Sequence, residues 1–265
     1  MKASEIIALM ESWAPGLYEK TCDTVKAGDT ERDVSCVAMC CFATPNVIRE
    51  VSTWGAQLLI THEPTVYDHW DNIEDTPVGN AKRALLGESD LVLYRYHDHL
   101  HAAPSDMIGM GEIETLGLKG VLEERGASEI NRFSLTAPMT VRELARHIEK
   151  KMNIAHMRIC GAADASVTKL ALAFGTPRGV FEELAGWADV VLTGEACEWR
   201  ISEYARDAAQ LGFSKALLIL GHCGSERDGM RYIANRLSDA IPELSVRYIE
   251  SGEVYTYSEK ESRNG

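Results

Sequence analysis

The chain has 265 residues, 45% of them apolar, with 27 basic and 40 acidic side chains and a formal net charge of −13. This composition excludes a disordered chain, and the acidic balance argues against nucleic-acid binding, which needs clustered Lys and Arg. No apolar run approaches the roughly 18 residues that span a bilayer. Glu5 and Glu11 interrupt the first apolar stretch, so we expect neither a membrane segment nor a signal peptide.

Short apolar runs alternate with amphipathic segments along the chain. The amphipathic segments predict helices at 3–13, 45–54, 141–152, 179–187, 199–211 and 225–237. The apolar runs predict strands at 34–39, 58–61, 91–96, 169–174, 190–193, 216–220 and 246–249. Thr44 and Pro45 are expected at the start of one helix, and Thr176 and Pro177 at the start of another. The alternation predicts an α/β protein.

The sequence contains an internal repeat at an offset of 132 residues. At that offset the aliphatic triplet 58–60 coincides with 190–192. Identical residues coincide as well: Thr44-Pro45 with Thr176-Pro177, Glu50 with Glu182, Ala56 with Ala188, Thr61 with Thr193 and Glu63 with Glu195. We interpret this as a duplication within a single domain at 1–250, with halves at about 30–125 and 165–250 and a polar tail at 251–265. Two unrelated βαβ units that share helix-start chemistry are the alternative.

Five of the eight histidines lie at the ends of three predicted strands, each beside a carboxylate, where open α/β sheets place their sites. They are His62 with Glu63, then His97, His99 and His101 with Asp98 and Asp106, and His222 with Glu226. If the backbone after the second strand stays extended, its three imidazoles share one face. Ser225 and Asp228 have the spacing of a capping box, which places Glu226 in the first turn of a helix. Taken singly, each motif could instead be a polar surface turn, a solvated face or a helix-start acid.

Imidazole and carboxylate side chains together suit borderline divalent cations such as Zn, Fe, Mn, Co or Ni. The candidate ligands outnumber those of one tetrahedral ion, which predicts two divalent metal ions bridged by a carboxylate or water. The candidate metal ligands are His62, Glu63, His97, His101, His222 and Glu226. Glu195, the counterpart of Glu63 in the repeat, is a candidate general base, with a helix-capping acid as the alternative.

The seven cysteines are odd in number and include no pair of Cys-x-x-Cys units. In a chain of this length that pattern argues against a disulfide framework and a structural zinc ribbon. We therefore expect reduced thiols in a cytoplasmic protein. Cys40 and Cys41 are expected to pack as small core residues, and a thiol role for this pair or for Cys223 is an alternative.

Three motifs resemble those of the NIF-three-like family, whose members are often named GTP cyclohydrolase 1 type 2 homologues. They are Thr61-His62-x-Pro64, His97-x-x-Leu100-x-Ala102-Ala103 and Gly221-His222-x-x-Ser225-Glu226, supported by the segment 188–195. The resemblance covers roughly residues 34–237. The family usually has His where this chain has Glu63 and Asp where it has His101, so the exchange is reciprocal and keeps three His and two carboxylates. We interpret this as a retained dinuclear site with altered geometry, with His97 and His99 as further ligands or orienting side chains.

The resemblance implies two similar, intertwined βαβ-containing halves around a dinuclear metal site, without an inserted domain, assembled into a homohexameric ring. The candidate ligands suggest a metal-dependent hydrolase, similar to GTP cyclohydrolase 1 type 2, in which metal-activated water attacks a small anionic substrate such as a nucleotide. No P-loop, dinucleotide-binding glycine loop or zinc-deaminase signature is present. A non-catalytic metal-binding or protein-interaction module is the alternative.

Overall fold

The computed structural model describes residues 1–15, 20–72, 75–102 and 106–256. The polar tail predicted at 251–265 therefore lies outside the described residues beyond position 256. Within the described ranges, none of the helices has the length and apolar character needed to cross a bilayer.

Helices and strands alternate along the chain as the sequence predicts. The helices are α1 (Ala3–Glu11), α2 (Pro45–Trp54), α3 (Pro77–Glu88), α4 (Asp98–Ala102), α5 (Met107–Leu116), α6 (Val141–Met152), α7 (Val180–Ala185), α8 (Glu203–Gln210) and α9 (Arg227–Ala240). The strands are β1 (Val25–Ala27), β2 (Cys36–Cys40), β3 (Leu58–Thr61), β4 (Val92–Arg95), β5 (Gly120–Leu122), β6 (Asn131–Thr140), β7 (Arg158–Gly161), β8 (Ser166–Ala173), β9 (Val190–Thr193), β10 (Ala216–Ile219) and β11 (Ser245–Tyr248).

The strands form two sheets. The first has the order β1-β4-β3-β2-β11 and the second the order β5-β6-β8-β9-β10-β7. The central strands β2, β3 and β4 are parallel, as are β8, β9 and β10, whereas β1, β5, β6 and β7 pair antiparallel to their neighbours. Strand β11, near the end of the chain, joins the first sheet, so the two halves are intertwined.

The two sheets contain the same unit of strand, helix, strand, helix and strand, which is β2-α2-β3-α3-β4 in the first sheet and β8-α7-β9-α8-β10 in the second. In the first sheet Leu58 pairs with Val92, and in the second Val190 pairs with Ala216. The ends of β3 and β9 also turn alike, since the hydroxyl of Thr61 donates to the carbonyl of Glu63 (3.3 Å) and that of Thr193 to the carbonyl of Glu195 (3.0 Å). The sequence repeat thus corresponds to one local fold used twice, and the predicted α/β class is confirmed.

Each sheet is covered on both faces, as its uninterrupted apolar strands require. In the first sheet, alternate residues of β2, β3 and β4 pack against α2 on one face and against α1 and α9 on the other. In the second sheet, β8, β9 and β10 pack against α6 on one face and against α7 and α8 on the other. The strands of both sheets end in loops, and the polar residues collect in these loops.

Two predicted helix starts are wrong, while a third is confirmed. The hydroxyl of Thr44 accepts from the amide of Val47 (3.2 Å) and caps α2 as predicted. Helix α7 begins only at Val180, because Gly179 with φ +87° turns the chain after the Thr176-Pro177 pair.

The expected capping box of Ser225 and Asp228 is also wrong. The Ser225 hydroxyl accepts from the amide of Gly175 (2.9 Å) and donates to the carbonyl of His222 (2.8 Å), so its hydrogen bonds go to the neighbouring loops rather than to the first turn of α9. Helix α9 therefore starts at Arg227, with Glu226 at the N-cap position rather than in the first turn.

Candidate metal centre

The six candidate ligands come together where β3, β4 and β10 end and α9 begins. His62 and Glu63 follow β3 and are buried, and Glu226 immediately precedes α9 and is buried as well. His97 immediately precedes the short helix α4, His101 lies within it, and His222 lies in the loop after β10. Strands β3 and β4 belong to the first sheet and β10 to the second, so the centre lies where the carboxyl ends of parallel strands from both sheets meet.

One group of ligands combines the imidazoles of His62 and His222 with two carboxylates. Nε2 of His222 lies 3.0 Å from Oε1 of Glu63 and 3.2 Å from Oε2 of Glu226. Nε2 of His62 lies 3.6 Å from the same Oε2 of Glu226. His62, Glu63 and Glu226 each offer a ligand atom within 4.8 Å of the others, which is a spacing that one cation can bridge.

A second group consists of three imidazoles. The ring centroids of His62, His97 and His101 are 4.6, 5.1 and 4.8 Å apart, and each ring offers one nitrogen within 4.8 Å of the others. The two groups share His62, so they adjoin. Both are groups that could hold a metal ion.

Four of the imidazoles are held by a hydrogen bond at Nδ1, which directs Nε2 toward the other ligands. The partners are the Tyr96 carbonyl for His62 (3.1 Å), Asp98 for His97 (3.0 Å), Asp106 for His101 (3.2 Å) and Glu195 for His222 (2.6 Å). Metal-binding histidines in proteins are commonly oriented in this way. Nε2 of His62 is buried and has no hydrogen-bond partner among the residues described. Because an unsatisfied buried nitrogen is costly, the donor set fits a cation at this position.

The carboxylates give the centre a negative potential. Burial opposes charge on His222, but hydrogen bonds to Glu226 and Glu63 raise the pKa of its imidazole to about 12. Burial likewise disfavours ionisation of Glu226, yet His62 and His222 hold the pKa of this carboxyl well below its usual range. The centre therefore stabilises positive charge, which is the property that cation binding requires.

The imidazoles of the second group differ in basicity. Burial lowers the pKa of His97 to about 4, which leaves the ring neutral. Desolvation opposes charge on His101 as well, but its hydrogen bond to Asp106 raises the pKa of this imidazole to about 9. A neutral imidazole is the form that binds a metal, so His97 can bind one without first losing a proton.

The segment after β4 is helical rather than extended, which changes the expected arrangement of its histidines. The carboxylate of Asp23 accepts from the backbone amides of His97 (2.7 Å), Asp98 (2.9 Å) and His99 (2.9 Å) and so fixes the start of α4. With this helical turn His97 and His101 lie on one face. The ring of His99 instead contacts Asp23, with 2.7 Å between Nδ1 and Oδ2, and belongs to neither ligand group.

Glu195 lies at the edge of the centre, where its carboxylate contacts the ligand His222. Cys41 and Cys223 are buried free thiols, and Sγ of Cys41 is 4.0 Å from Oε2 of Glu226. Burial raises the pKa of the Cys41 thiol well above its ordinary value, which favours the predicted packing role.

The sequence did not indicate two features of the site. Arg95 is fully buried, donates from Nε to the carbonyl of His62 (3.1 Å) and places Nη2 4.0 Å from Oε2 of Glu63. A cavity of about 450 Å³ also opens beside the centre, lined in part by Arg125, Asn131 and Arg178. Arg95 could have been singled out because it lies at the end of an apolar strand. The sequence spacing of the cavity residues, in contrast, does not indicate that they share a site.

Comparison with known proteins assigns the chain to a family. Residues 1–254 match the Duf34/NIF3 (NGG1p interacting factor 3) family, and the chain belongs to it. A GTP cyclohydrolase 1 type 2 homolog of Clostridium perfringens is 25% identical over 96% of this chain and 97% of its own length. One of Clostridium acetobutylicum is 22% identical over 93% of each chain. The crystal structure of a Bacillus cereus protein related to NIF3 has a TM-score of 0.77 at 15% identity, covering 97% of this chain and 99% of that one.

Proposed function

We propose that this protein binds two divalent cations at the centre and uses them to hydrolyse a small anionic substrate such as a nucleotide. The observation that carries the proposal is the convergence of six candidate ligands in two groups that share His62, whose buried Nε2 has no hydrogen-bond partner within the described ranges. The curated relatives are named as homologues of GTP cyclohydrolase 1 type 2, which favours a reaction of that class.

The hydrogen bond of His62 supports a division of the ligands between two cations. Because Nδ1 donates to the Tyr96 carbonyl, His62 has one free lone pair and serves one cation. We assign His62 to the imidazole group with His97 and His101, which leaves Glu63, His222 and Glu226 for the other cation. Each cation then has three protein ligands, the number typical of catalytic sites with open positions.

The chain itself supplies orientation and charge. Two divalent cations at the centre would lower the pKa of bound water and neutralise negative charge that develops on the substrate. Asp98, Asp106 and Glu195 hold three of the imidazole rings in place. Glu63 and Glu226 offset only part of the charge of two cations, so the centre would attract anions although the chain carries −13 overall.

The experiment combines metal analysis with a substrate screen. We expect about two equivalents of Zn, Fe, Mn, Co or Ni per chain by elemental analysis, and turnover with a nucleotide or phosphoester. His62→Ala and His222→Ala should each lower both, whereas His156→Ala, at an exposed position outside both ligand groups, should not. Purified protein with less than half an equivalent of any divalent metal after supplementation would contradict the proposal.

The exchange of Glu63 and His101 relative to the family pattern favours a second candidate, a non-catalytic metal-binding or protein-interaction module. Full metal occupancy without turnover of any substrate in the screen would select it.

Further proposals are a homohexameric ring, tested by light scattering, and a location in the cytoplasm, which the seven free thiols support.

A further inference from the structure

The cavity beside the centre is lined by two chemically different sets of residues. One set is the ligands Glu63, His97, His101, His222 and Glu226, and the other includes Arg125, Glu129, Asn131, Thr176 and Arg178. Its volume of about 450 Å³ is within the range of small-molecule sites. A substrate that fills the cavity would therefore contact both sets.

Arg178 is carried by a short loop that touches the centre. The loop runs from Gly175 (φ +65°) to Gly179 (φ +87°), between β8 and α7. A Cβ atom on Gly175 would overlap Oε1 of Glu226, so the loop backbone lies directly against this carboxylate. Arg178 is exposed, and within the described ranges no carboxylate lies within ion-pair distance of its guanidinium. Its charge is therefore available to a ligand.

Arg125 is the second arginine that lines the cavity. Its guanidinium is half-buried, with 22% of the side chain exposed, and it pairs with the exposed Glu129 at 3.6 Å between Nη1 and Oε2. Exposed ion pairs at such a distance are weak, so an anionic ligand can compete with Glu129. Arg125 also acts on Asp106, since its charge is one of the causes that lower the pKa of that carboxyl, after the hydrogen bond from His101.

Asn131 adds a neutral polar group to the lining of the cavity. It is the first residue of β6, where its backbone pairs with Leu172, and only 6% of it is exposed. Its Nδ2 lies close to Gly109, and so does a carboxylate oxygen of Asp106, the residue that orients His101. The amide can both donate and accept hydrogen bonds, so it suits a polar atom of a ligand in the cavity.

We propose that Arg125 and Arg178 bind a phosphate group of the substrate and that the Asn131 amide bonds a neighbouring polar atom, while the reacting bond lies at the His and Glu ligands. This inference rests on the proposed function. Two guanidinium groups favour a doubly charged oxyanion over a single carboxylate, because each matches a pair of oxygens. In the repeat, position 46 corresponds to Arg178 and is Asn, so only the second half carries this arginine.

The test measures the affinity of inorganic pyrophosphate by calorimetry, with elemental analysis of the same samples. We expect Arg125→Gln and Arg178→Gln each to weaken binding about tenfold or more, and the double variant to abolish it at millimolar pyrophosphate. Arg49→Gln, which removes an exposed arginine outside the cavity, should bind as the unchanged chain does. All variants should keep the metal content and the melting temperature of the unchanged chain.

The outcomes separate this inference from the proposed function. Unchanged affinity in both arginine variants with normal metal content would overturn the phosphate subsite and leave the metal centre standing. Absence of metal in the unchanged chain would overturn the proposed function itself. Citrate that competes as strongly as pyrophosphate would overturn the assignment of phosphate.

Discussion

Nδ1 of His222 and Oε1 of Glu195 are 2.6 Å apart, although 27 residues separate them in the sequence. Glu195 follows β9 and His222 follows the adjacent parallel strand β10, so the pairing of these strands places the two side chains side by side. This contact makes Glu195 a positioning residue for a metal ligand, since it fixes the ring with Nε2 toward Glu63 and Glu226.

The first prediction concerns this contact. Glu195→Ala should lower metal affinity about 10- to 100-fold, because ligands that lose their hydrogen-bond partner lose orientation and basicity. Glu195→Gln should retain most of the affinity, since its amide oxygen still accepts from Nδ1. Competition with a chelator measures both, with Glu198→Ala as the exposed control. If Glu195 were instead the general base, both substitutions would abolish turnover and leave metal affinity unchanged.

A reciprocal exchange tests whether Glu63 and His101 are alternative placements of one ligand set. Glu63→His alone removes a carboxylate that contacts His222, and His101→Asp alone removes one of the three adjoining imidazoles. Each single substitution should lower the metal content toward one equivalent. The double substitution restores three His and two carboxylates and should recover about two. A double variant no better than the worse single one would show that the two positions are independent.

Gly175 and Gly55 both have a positive φ, so the effects of replacing each by alanine can be compared. Gly55 has φ +81° and no atom within 4 Å of the place where a Cβ would lie, whereas a Cβ on Gly175 (φ +65°) would overlap Oε1 of Glu226. Gly55→Ala should therefore cost only the backbone term of about 1–2 kcal/mol. Gly175→Ala should cost more and also reduce metal content, because the Glu226 carboxylate must move. Urea unfolding and elemental analysis give the two readouts, and equal effects of both substitutions would contradict the close approach.

Local patterns were sufficient to predict much of the fold. The strands at 58–61 and 190–193 and the helices at 45–54 and 141–152 coincide with β3, β9, α2 and α6. Each is a short buried apolar run or an amphipathic segment with a capping threonine, so neighbouring residues determine it. Strands β5, β6 and β7 were not predicted, because β6 depends on its pairing with β8 and β7 on its pairing with β10, which both lie further along the chain.

The candidate site could be predicted from the sequence because its ligands lie just after the ends of predicted strands. All six ligands come together, since the parallel strands of the two sheets end near one another. The helical turn at α4 was not predictable, because Asp23 caps it from 75 residues away. The role of Ser225 was not predictable either, because its hydroxyl accepts from the distant amide of Gly175 instead of capping a helix.

The last prediction concerns Glu112, a fully buried carboxyl on α5. Its Oε1 accepts from the amides of Asp228 (2.7 Å) and Gly229 (2.9 Å) at the start of α9, and its Oε2 has no partner among the described residues. Burial, together with the Asp228 carboxylate, raises the pKa of Glu112 well above its ordinary value of 4.5. Above pH 4.5 the unfolded chain loses this proton while the folded chain keeps it, so stability falls as pH rises toward the folded pKa.

Glu112→Gln removes this titration and keeps an oxygen for both amides. Its free energy of unfolding, relative to the unchanged chain, should rise by up to about 1.4 kcal/mol per pH unit above pH 5 and level off once the folded carboxyl ionises. Urea unfolding between pH 5 and pH 8 measures the difference, in which groups common to both proteins cancel. Glu114→Gln, at an exposed position on the same helix, should show no such trend. A difference between Glu112→Gln and the unchanged chain that stays constant with pH would mean that Glu112 ionises equally in the folded and unfolded states.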